Sequence, residues 1–132
     1  MLHALLDTCV LIDLERTELG VYEDAVLVAS AISVGELAFG VDAGSDPEVR
    51  QIRLRKVLAS MEIIPFGVEE AKLYGVLATL VRAVGRNPRP RRLDLQIAAT
   101  AAATRVPLLT HNADDFRGID RLVDVVPVKR LA

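Results

Sequence analysis

Short apolar runs alternate along the chain with longer stretches in which apolar residues recur every three or four positions. Short continuous runs are typical of buried strands, and the longer spacing is typical of helices with one inward face. This alternation favours an α/β fold with a central, mostly parallel sheet. The predicted order is β-α-β-α-α-β-α-α-β-β, with strands at 2–6, 25–29, 63–65, 106–110 and 123–128 and helices at 8–19, 34–44, 46–61, 68–84 and from 94 onward.

Proline residues support three features of this predicted order: a helix start, a connection between helices and an edge strand. In Asp46-Pro47 an N-cap residue precedes proline at the first helical position, which predicts a helix start there. Residues 85–90 (GRNPRP) cannot continue a helix and predict a stiff, basic connection. Pro127 lacks an N–H donor, so we expect the last strand to lie at an edge of the sheet.

The composition indicates one domain with an aliphatic core. Of the 132 residues, 52% are hydrophobic and only 4% aromatic, so we expect a single domain over residues 1–132. The only cysteine, Cys9, excludes an internal disulfide and a cysteine-based zinc site, and we expect it to be buried.

No apolar run approaches the roughly 18 residues of a membrane span, and no basic leader precedes an apolar stretch. We therefore expect a soluble, cytoplasmic protein without membrane contact.

The formal net charge of −2 does not by itself indicate a nucleic-acid-binding protein. Five arginines nevertheless lie between positions 82 and 92 with no acidic residue among them. Solvated helix and loop surface is the simplest explanation of such a cluster, and phosphate binding is the alternative. The arginines are Arg82, Arg86, Arg89, Arg91 and Arg92.

Four acidic residues are predicted to lie at one edge of the sheet. Asp7 and Glu36 follow the first two strands. Asp94 stands at the start of an Ala-rich helix, and Asp115 follows the fourth strand. Strand C-termini and helix N-termini of a parallel α/β sheet open on the same edge, where such folds place their sites. Structural alternatives exist: Asp7 or Thr8 as a helix N-cap, and Glu36 in a capping box with the serine three residues before it.

Clustered carboxylates need compensation by a positive charge. Like charges within about 4 to 6 Å of one another raise each other's pKa unless a cation lies between them. A metal ion is the economical partner, and oxygen ligands without cysteine or histidine favour a hard cation. The sequence therefore predicts one or two Mg²⁺ ions at this edge, with Mn²⁺ as the alternative.

The four acids stand in four motifs along the chain. The motifs are Asp7-Thr8 after an apolar strand, Ser33-x-x-Glu36-Leu37, Leu93-Asp94-x-x-Ile97-Ala98-Ala99 and Leu109-Thr110-x-Asn112-x-x-Asp115-Phe116. Each motif is weak alone, but their order and spacing are jointly specific. Together they resemble the PIN-domain ribonucleases, most closely the VapC toxins of bacterial and archaeal toxin–antitoxin pairs, and the resemblance covers the chain from Leu6 to Phe116.

The resemblance implies a PIN-like three-layer α/β/α sandwich that carries a metal-dependent site. It assigns four acids to both catalysis and metal binding, and three neighbouring polar residues to supporting roles. The acids are Asp7, Glu36, Asp94 and Asp115, and the polar residues are Thr8, Thr110 and Asn112.

One choice stays open within the last motif. Asp114 adjoins Asp115 and could support it or replace it as the fourth acid, although the acid directly before Phe116 is the better match. His111 occupies a variable position of the motif, and we expect it at the surface rather than among the ligands.

The resemblance also implies a reaction, a substrate and partners. It implies Mg²⁺-dependent endonucleolytic hydrolysis of RNA, with loops of transfer or ribosomal RNA as substrates. It implies that a cognate VapB-type antitoxin inhibits the toxin and binds operator DNA, and that the toxin forms a homodimer. In this context Arg86, Arg89, Arg91 and Arg92 are candidates for holding the RNA backbone.

Three other classes fit the sequence less well. An aspartyl-nucleophile phosphatase also begins with a strand and an aspartate, but it needs a second aspartate two residues on, where this chain has Cys9. A non-enzymatic binding module would require every acid to be a cap or a turn residue by separate coincidences. No glycine-rich loop follows Leu6, which argues against a nucleotide-binding enzyme.

Overall fold

A five-stranded parallel sheet with helices on both faces forms the centre of the molecule, and a two-stranded antiparallel pair completes it. The computed structural model describes residues 1–132. The strands are β1 (His3–Leu6), β2 (Thr17–Glu18), β3 (Val26–Ser30), β4 (Glu62–Ile64), β5 (Leu108–Thr110), β6 (Val125–Pro127) and β7 (Lys129–Arg130). The helices are α1 (Thr8–Ile12), α2 (Ala31–Ala43), α3 (Pro47–Ser60), α4 (Val68–Ala83) and α5 (Arg92–Thr104).

The central strand of the sheet is β1. The strand order is β4-β3-β1-β5-β6, so the chain builds outward from β1 first on one side and later on the other. Such a reversal leaves a crevice outside the carboxyl end of the central strand, where open α/β sheets bind their ligands. The edge position predicted for the last strand is confirmed, since β6 is outermost and contains Pro127.

Alternate residues of the strands point to opposite faces and form two apolar layers. Leu5 of β1 packs with α4 and α5, through residues such as Leu77 and Leu95. Its neighbours Ala4 and Leu6 pack on the other face, in a cluster that includes residues of α1, α2 and α3. The period of two along a strand thus produces the predicted three-layer α/β/α sandwich.

The helix predicted at 8–19 is much shorter than expected. Helix α1 ends at Ile12, a 3₁₀ turn follows at Leu14–Arg16, and the chain then forms β2. Strand β2 pairs with β7, and Arg130 Nε donates to Asp13 Oδ2 over 2.8 Å. These contacts with the C-terminal residues replace the helical hydrogen bonds that a longer α1 would make.

The capping box proposed for Glu36 is wrong. Helix α2 begins at Ala31 with Ser30 as its N-cap, because the Ser30 hydroxyl accepts a hydrogen bond from the backbone N–H of Ile32 over 3.0 Å. Ser33 therefore lies inside the helix, and its side chain is free for another role.

The predicted helix start at Pro47 is confirmed. No helix is both long and apolar enough to cross a membrane.

Candidate active site

Asp7 leaves the central strand at its carboxyl end and begins α1. Its Oδ1 accepts the backbone N–H of Thr8 over 2.8 Å, which makes Asp7 the N-cap of the helix. Its Oδ2 accepts the hydroxyl of Thr110 over 2.7 Å. The side chain is therefore fixed in direction, and the capping role and a place in the site do not compete. Only 5% of Asp7 is exposed, so these donors replace the water that a surface carboxylate would have.

The next strand, β5, supplies the polar support predicted from the last motif. Thr110 is fully buried and ends β5, beside the end of β1. While its hydroxyl donates to Asp7, the same oxygen accepts the backbone N–H of Asn112 over 3.0 Å. Asn112 thus supports the site through its backbone.

Glu36 is held against the end of β1 by hydroxyl groups. The Thr8 hydroxyl donates to Glu36 Oε1 over 2.7 Å, and Ser33 Oγ lies 2.8 Å from the Thr8 oxygen. Because the Thr8 proton points to the carboxylate, Ser33 is the donor in the second bond. Ser33 and Glu36 stand three residues apart on one face of α2, so one helix face carries both groups.

Asp94 lies in the first turn of α5, and its pKa is affected by the other three acids. Burial is the main cause that raises its pKa to about 6, and the charges of Asp7, Glu36 and Asp115 add to it. Arg91 acts in the opposite direction. The fold therefore brings the other three predicted acids close enough to Asp94 for their charges to act on it.

Arg91 lies between two of the acids. Its Nη1 is 3.0 Å from Asp115 Oδ2 and 3.8 Å from Asp94 Oδ2. Asp115 therefore faces the site, while its neighbour Asp114 is exposed and pairs with Arg117 at 2.6 Å. That pairing lowers the pKa of Asp114. The geometry favours Asp115 over Asp114 as the fourth acid.

Two residues near the acids behave differently from expectation. Cys9 is half-buried rather than buried, and its thiol donates to Asp7 Oδ2 over 3.4 Å. Burial, followed by the charge of Asp7, raises the pKa of this thiol, so it is not a thiolate ligand.

His111 is also half-buried: its Nδ1 donates to the carbonyl oxygen of Val128, and its Nε2 lies 3.1 Å from Thr17 Oγ1. The predicted surface position of His111 is therefore wrong.

The donor chemistry of the site fits a hard divalent cation. Its acidic groups offer oxygen atoms only, and the like charges around Asp94 need a cation. No three of the side chains approach closely enough to share one directly bound ion. Mg²⁺ in proteins keeps several of its waters and uses only one or two direct carboxylates, so these residues would hold it largely through water.

The predicted basic residues lie on the loop between α4 and α5 and at the start of α5. Arg86, Arg89 and Arg92 line a cavity of about 810 Å³. Arg91 instead turns toward the acids.

Two contributions to the site were missed from the sequence. The Ser33 pattern matched a capping box equally well, and Arg91 was assigned to the RNA backbone rather than to a contact with the acids. The spacing of Arg91, three residues before Asp94, was the available signal for its contact with that acid.

Comparison with known proteins assigns the chain to a family. A family model of the PIN domain matches residues 4–122. The chain is 33% identical over 138 residues to ribonuclease VapC of Rickettsia bellii, a match that covers 95% of this chain and 97% of that protein. It is 33% identical over 127 residues to ribonuclease VapC5 of Mycobacterium tuberculosis, covering 91% and 90%. The chain therefore belongs to the PIN-domain family and, within it, to the VapC group of ribonuclease toxins.

Solved structures of toxin–antitoxin complexes share the fold. The crystal structure of VapBC2 from Rickettsia felis, bound to a DNA fragment from the promoter, matches with a TM-score of 0.73 and 26% identity, covering 96% of this chain and 97% of that one. VapBC-5 from Mycobacterium tuberculosis matches with a TM-score of 0.70 and 27% identity, covering 96% and 98%. The predicted resemblance and the predicted fold class are both confirmed.

Proposed function

We propose that the chain hydrolyses RNA endonucleolytically in a Mg²⁺-dependent reaction that leaves 5′-phosphate and 3′-hydroxyl ends, with Mn²⁺ able to replace Mg²⁺. The observation that carries the proposal is the meeting of three other carboxylates, those of Asp7, Glu36 and Asp115, around Asp94. Such a site repels an anionic phosphodiester unless a cation is bound. The acidic site and the anionic substrate therefore both need positive charge between them, which one or two divalent ions supply.

The side chains of the site have different roles in metal binding and in positioning the reacting groups. A bound Mg²⁺ would supply Lewis-acid activation of the scissile phosphate and of the attacking water, and would stabilise the leaving 3′ oxygen. Asp7 and Asp94 are the main ligands in this proposal, and Thr110 fixes the direction of Asp7. Glu36 and Asp115 ligate through water or orient the nucleophile.

The proposed substrates are single-stranded loops of transfer or ribosomal RNA. Proteins recognise RNA sequence mostly through unstacked bases in loops, because the major groove of an RNA helix is too narrow for side chains to enter. Arg86 and Arg91 line a cavity together with Asp115, where they can neutralise the backbone of a strand that enters the site.

We extend the proposal to inhibition by a small VapB-type antitoxin that places a basic side chain among the acids. Support comes from Arg91, since a guanidinium already fits between Asp94 and Asp115. The antitoxin complexes among the structural relatives give further support. Measured inhibition by a cognate antitoxin tests the extension, and full activity of the complex would contradict it.

We also propose that the toxin forms a homodimer. Helices α3 and α4 expose apolar side chains, among them Ile52 at 51% and Val76 at 46%, which a second copy could cover. Light scattering behind a sizing column measures the mass directly. A monomeric mass at concentrations far above those of the cleavage assay would contradict this part.

Cleavage of total cellular RNA by the purified, antitoxin-free protein tests the main proposal. Reactions contain Mg²⁺, Mn²⁺ or a chelator, beside the Asp7→Ala/Asp94→Ala double variant. Discrete fragments are expected with either metal, and ligation-based sequencing should identify 5′-phosphate ends at loop positions. Equal cleavage in chelator or by the double variant would reject the proposal.

A further inference from the structure

A second concave feature adjoins the acidic site and has the opposite charge. The cavity of about 810 Å³ lies at the C-terminal end of α4 and the following loop, and no acidic residue lines it. Its volume falls within the range of roughly 300–1,000 Å³ typical of small-molecule sites. The residues that give it its chemistry are Tyr74, Arg82, Arg86, Arg89 and Arg92.

The arginines of this cavity lack acidic partners. Arg82, Arg89 and Arg92 make no salt bridge in the structure, and Arg86 donates only to the carbonyl oxygen of Asp114, over 3.0 Å. Four guanidinium groups around one concave space repel one another, so an anion bound there would be stabilised. The planar fork of arginine matches the geometry of phosphate in particular.

The backbone that carries these arginines is held in one conformation. Gly85 adopts φ +83°, and its N–H donates to the carbonyl oxygen of Arg82 over 2.9 Å. The N–H of Arg86 donates to the carbonyl oxygen of Val81 over 3.1 Å, which completes a Schellman motif at the end of α4. Asn87 Oδ1 then accepts the N–H of Arg89 over 3.1 Å. The rim of the cavity is therefore preorganised, which reduces the entropy lost on binding.

Tyr74 gives the cavity its one aromatic wall. The residue is half-buried: it packs against the core beneath α4 and also lines the cavity. An aromatic ring beside unpaired guanidinium groups is the combination that single-strand binding proteins use, since the ring stacks on a base while the cations hold the backbone.

A smaller cavity of about 310 Å³ joins this feature to the acids. It shares Arg86 and Asn87 with the larger cavity and is lined by Arg91 and Asp115 as well. A strand whose scissile phosphate lies at the acids can therefore continue past Arg86 into the larger cavity without leaving the protein surface.

We propose that the larger cavity binds one unpaired nucleotide of the RNA next to the cleavage point, with its base against Tyr74 and a phosphate on Arg82 and Arg92. The inference rests on the proposed ribonuclease function and adds to it the subsite that selects an unstacked nucleotide. It also gives Tyr74 and Arg82 roles in substrate recognition.

Binding of a labelled single-stranded RNA 12-mer of mixed sequence, measured by fluorescence anisotropy in chelator so that no cleavage occurs, tests the subsite. Tyr74→Leu should weaken binding about tenfold, and Tyr74→Phe should bind like the wild type, because stacking of one base contributes about 1–3 kcal/mol. Arg82→Gln/Arg92→Gln should lower the slope of log affinity against log salt by about 1. Arg55→Gln/Arg121→Gln, which removes two exposed arginines outside both cavities, is the charge-matched control.

Several results would overturn the inference. Wild-type affinity of Tyr74→Leu would do so, as would equal salt slopes for the two double variants or equal affinity for a 12-base-pair RNA duplex. Tighter binding of an octaglutamate peptide than of the RNA would identify an acidic protein segment as the occupant instead. Melting curves verify that each variant is folded, and the arginine pair serves as the test if Tyr74→Leu is not.

The same experiments can reject the proposed nuclease function without rejecting the nucleotide subsite, and the reverse. If wild-type protein binds single strands as described but cleaves nothing in Mg²⁺ or Mn²⁺, the subsite stands and the nuclease proposal fails. If wild-type protein cleaves RNA while Tyr74→Leu has unchanged affinity and an unchanged fragment pattern, the nuclease proposal stands and the subsite fails.

Discussion

The Thr110 hydroxyl donates a 2.7 Å hydrogen bond to Asp7 Oδ2 and so joins the carboxyl ends of two neighbouring parallel strands. Thr110 is fully buried and Asp7 is nearly so. A buried carboxylate depends on such donors, because the protein replaces its hydration. Thr110 is therefore a positioning residue for the carboxylate at the centre of the site.

Thr110→Val should weaken both stability and cleavage. Loss of the hydroxyl leaves Asp7 one donor short, which is expected to lower the free energy of unfolding by about 1–3 kcal/mol. The misplaced carboxylate should reduce the cleavage rate about 10- to 100-fold. Urea unfolding and initial rates on one RNA substrate measure the two effects. Thr110→Ser keeps the hydroxyl and should cleave at nearly the wild-type rate; equal rates for the valine and serine variants would refute the positioning role.

Asp94 should make the metal-free protein less stable as pH rises. Because its folded-state pKa of about 6 lies above the ordinary value of 3.8, the native state binds the proton more tightly than the unfolded chain does. Stability from this group is therefore full below about pH 4 and is lost as pH rises toward about 6. Metal-free Asp94→Asn should melt at a higher temperature than the wild type above pH 6, and the difference should vanish near pH 4.

The control for this pH effect is Asp120→Asn, which changes an exposed aspartate. Its melting temperature should follow the wild type at every pH. A pH-independent difference between Asp94→Asn and the wild type would show that the substitution acts by some means other than the ionisation of Asp94.

Arg91→Gln should strengthen Mg²⁺ binding in the absence of RNA. The guanidinium contacts both Asp94 and Asp115, so it competes with a metal for the same negative charge. One unit charge at about 4 Å is worth on the order of 1 kcal/mol even in water, which corresponds to a several-fold change in affinity. Calorimetric titration with Mg²⁺ measures the change, with Arg117→Gln as the control because Arg117 pairs with the outward-facing Asp114. Unchanged or weaker Mg²⁺ affinity in Arg91→Gln would disprove the competition.

The two adjacent aspartates should differ sharply in their effect on cleavage. Asp115 faces Arg91 and contributes to the field at Asp94, whereas Asp114 is exposed and paired with Arg117. Asp115→Asn should therefore lower the cleavage rate about 100-fold or more, while Asp114→Asn should stay within about twofold of the wild type. The two rates are compared on one RNA substrate at one Mg²⁺ concentration. The reverse order of effects would make Asp114 the fourth acid.

Local patterns were sufficient to predict the convergence of the acids. Each strand of the five-stranded sheet coincides with a short apolar run, and Asp7 comes directly after one of them. Parallel pairing then brings strand ends and the start of the Asp94 helix to one edge, whatever the details of packing. The sheet and the set of candidate acids could therefore be predicted without contacts.

Features that depend on distant partners could not be predicted in this way. Whether Ser33 caps a helix or supports Thr8 depends on where β3 ends, and β3 ends at the buried Ser30, which caps α2 and also pairs with Thr100 of α5 at 3.2 Å. The shortening of α1 depends on the pairing of Thr17 with Arg130, which are far apart in sequence and lie in strands of two residues each. Neither case has a signal within the local window.

The most direct test of the metal site is the melting temperature of wild-type protein and of Asp7→Asn, each measured in Mg²⁺ and in chelator. Asparagine has the shape of aspartate and caps helices equally well through its carbonyl oxygen, and its amide N–H can donate to the Thr110 oxygen in place of the lost acceptor, so the variant should remain folded. Mg²⁺ should raise the melting temperature of the wild type, because binding to the native state stabilises it, and should leave that of Asp7→Asn nearly unchanged. The same rise in both proteins, or none in the wild type, would contradict the assignment of this acidic site as a Mg²⁺ centre.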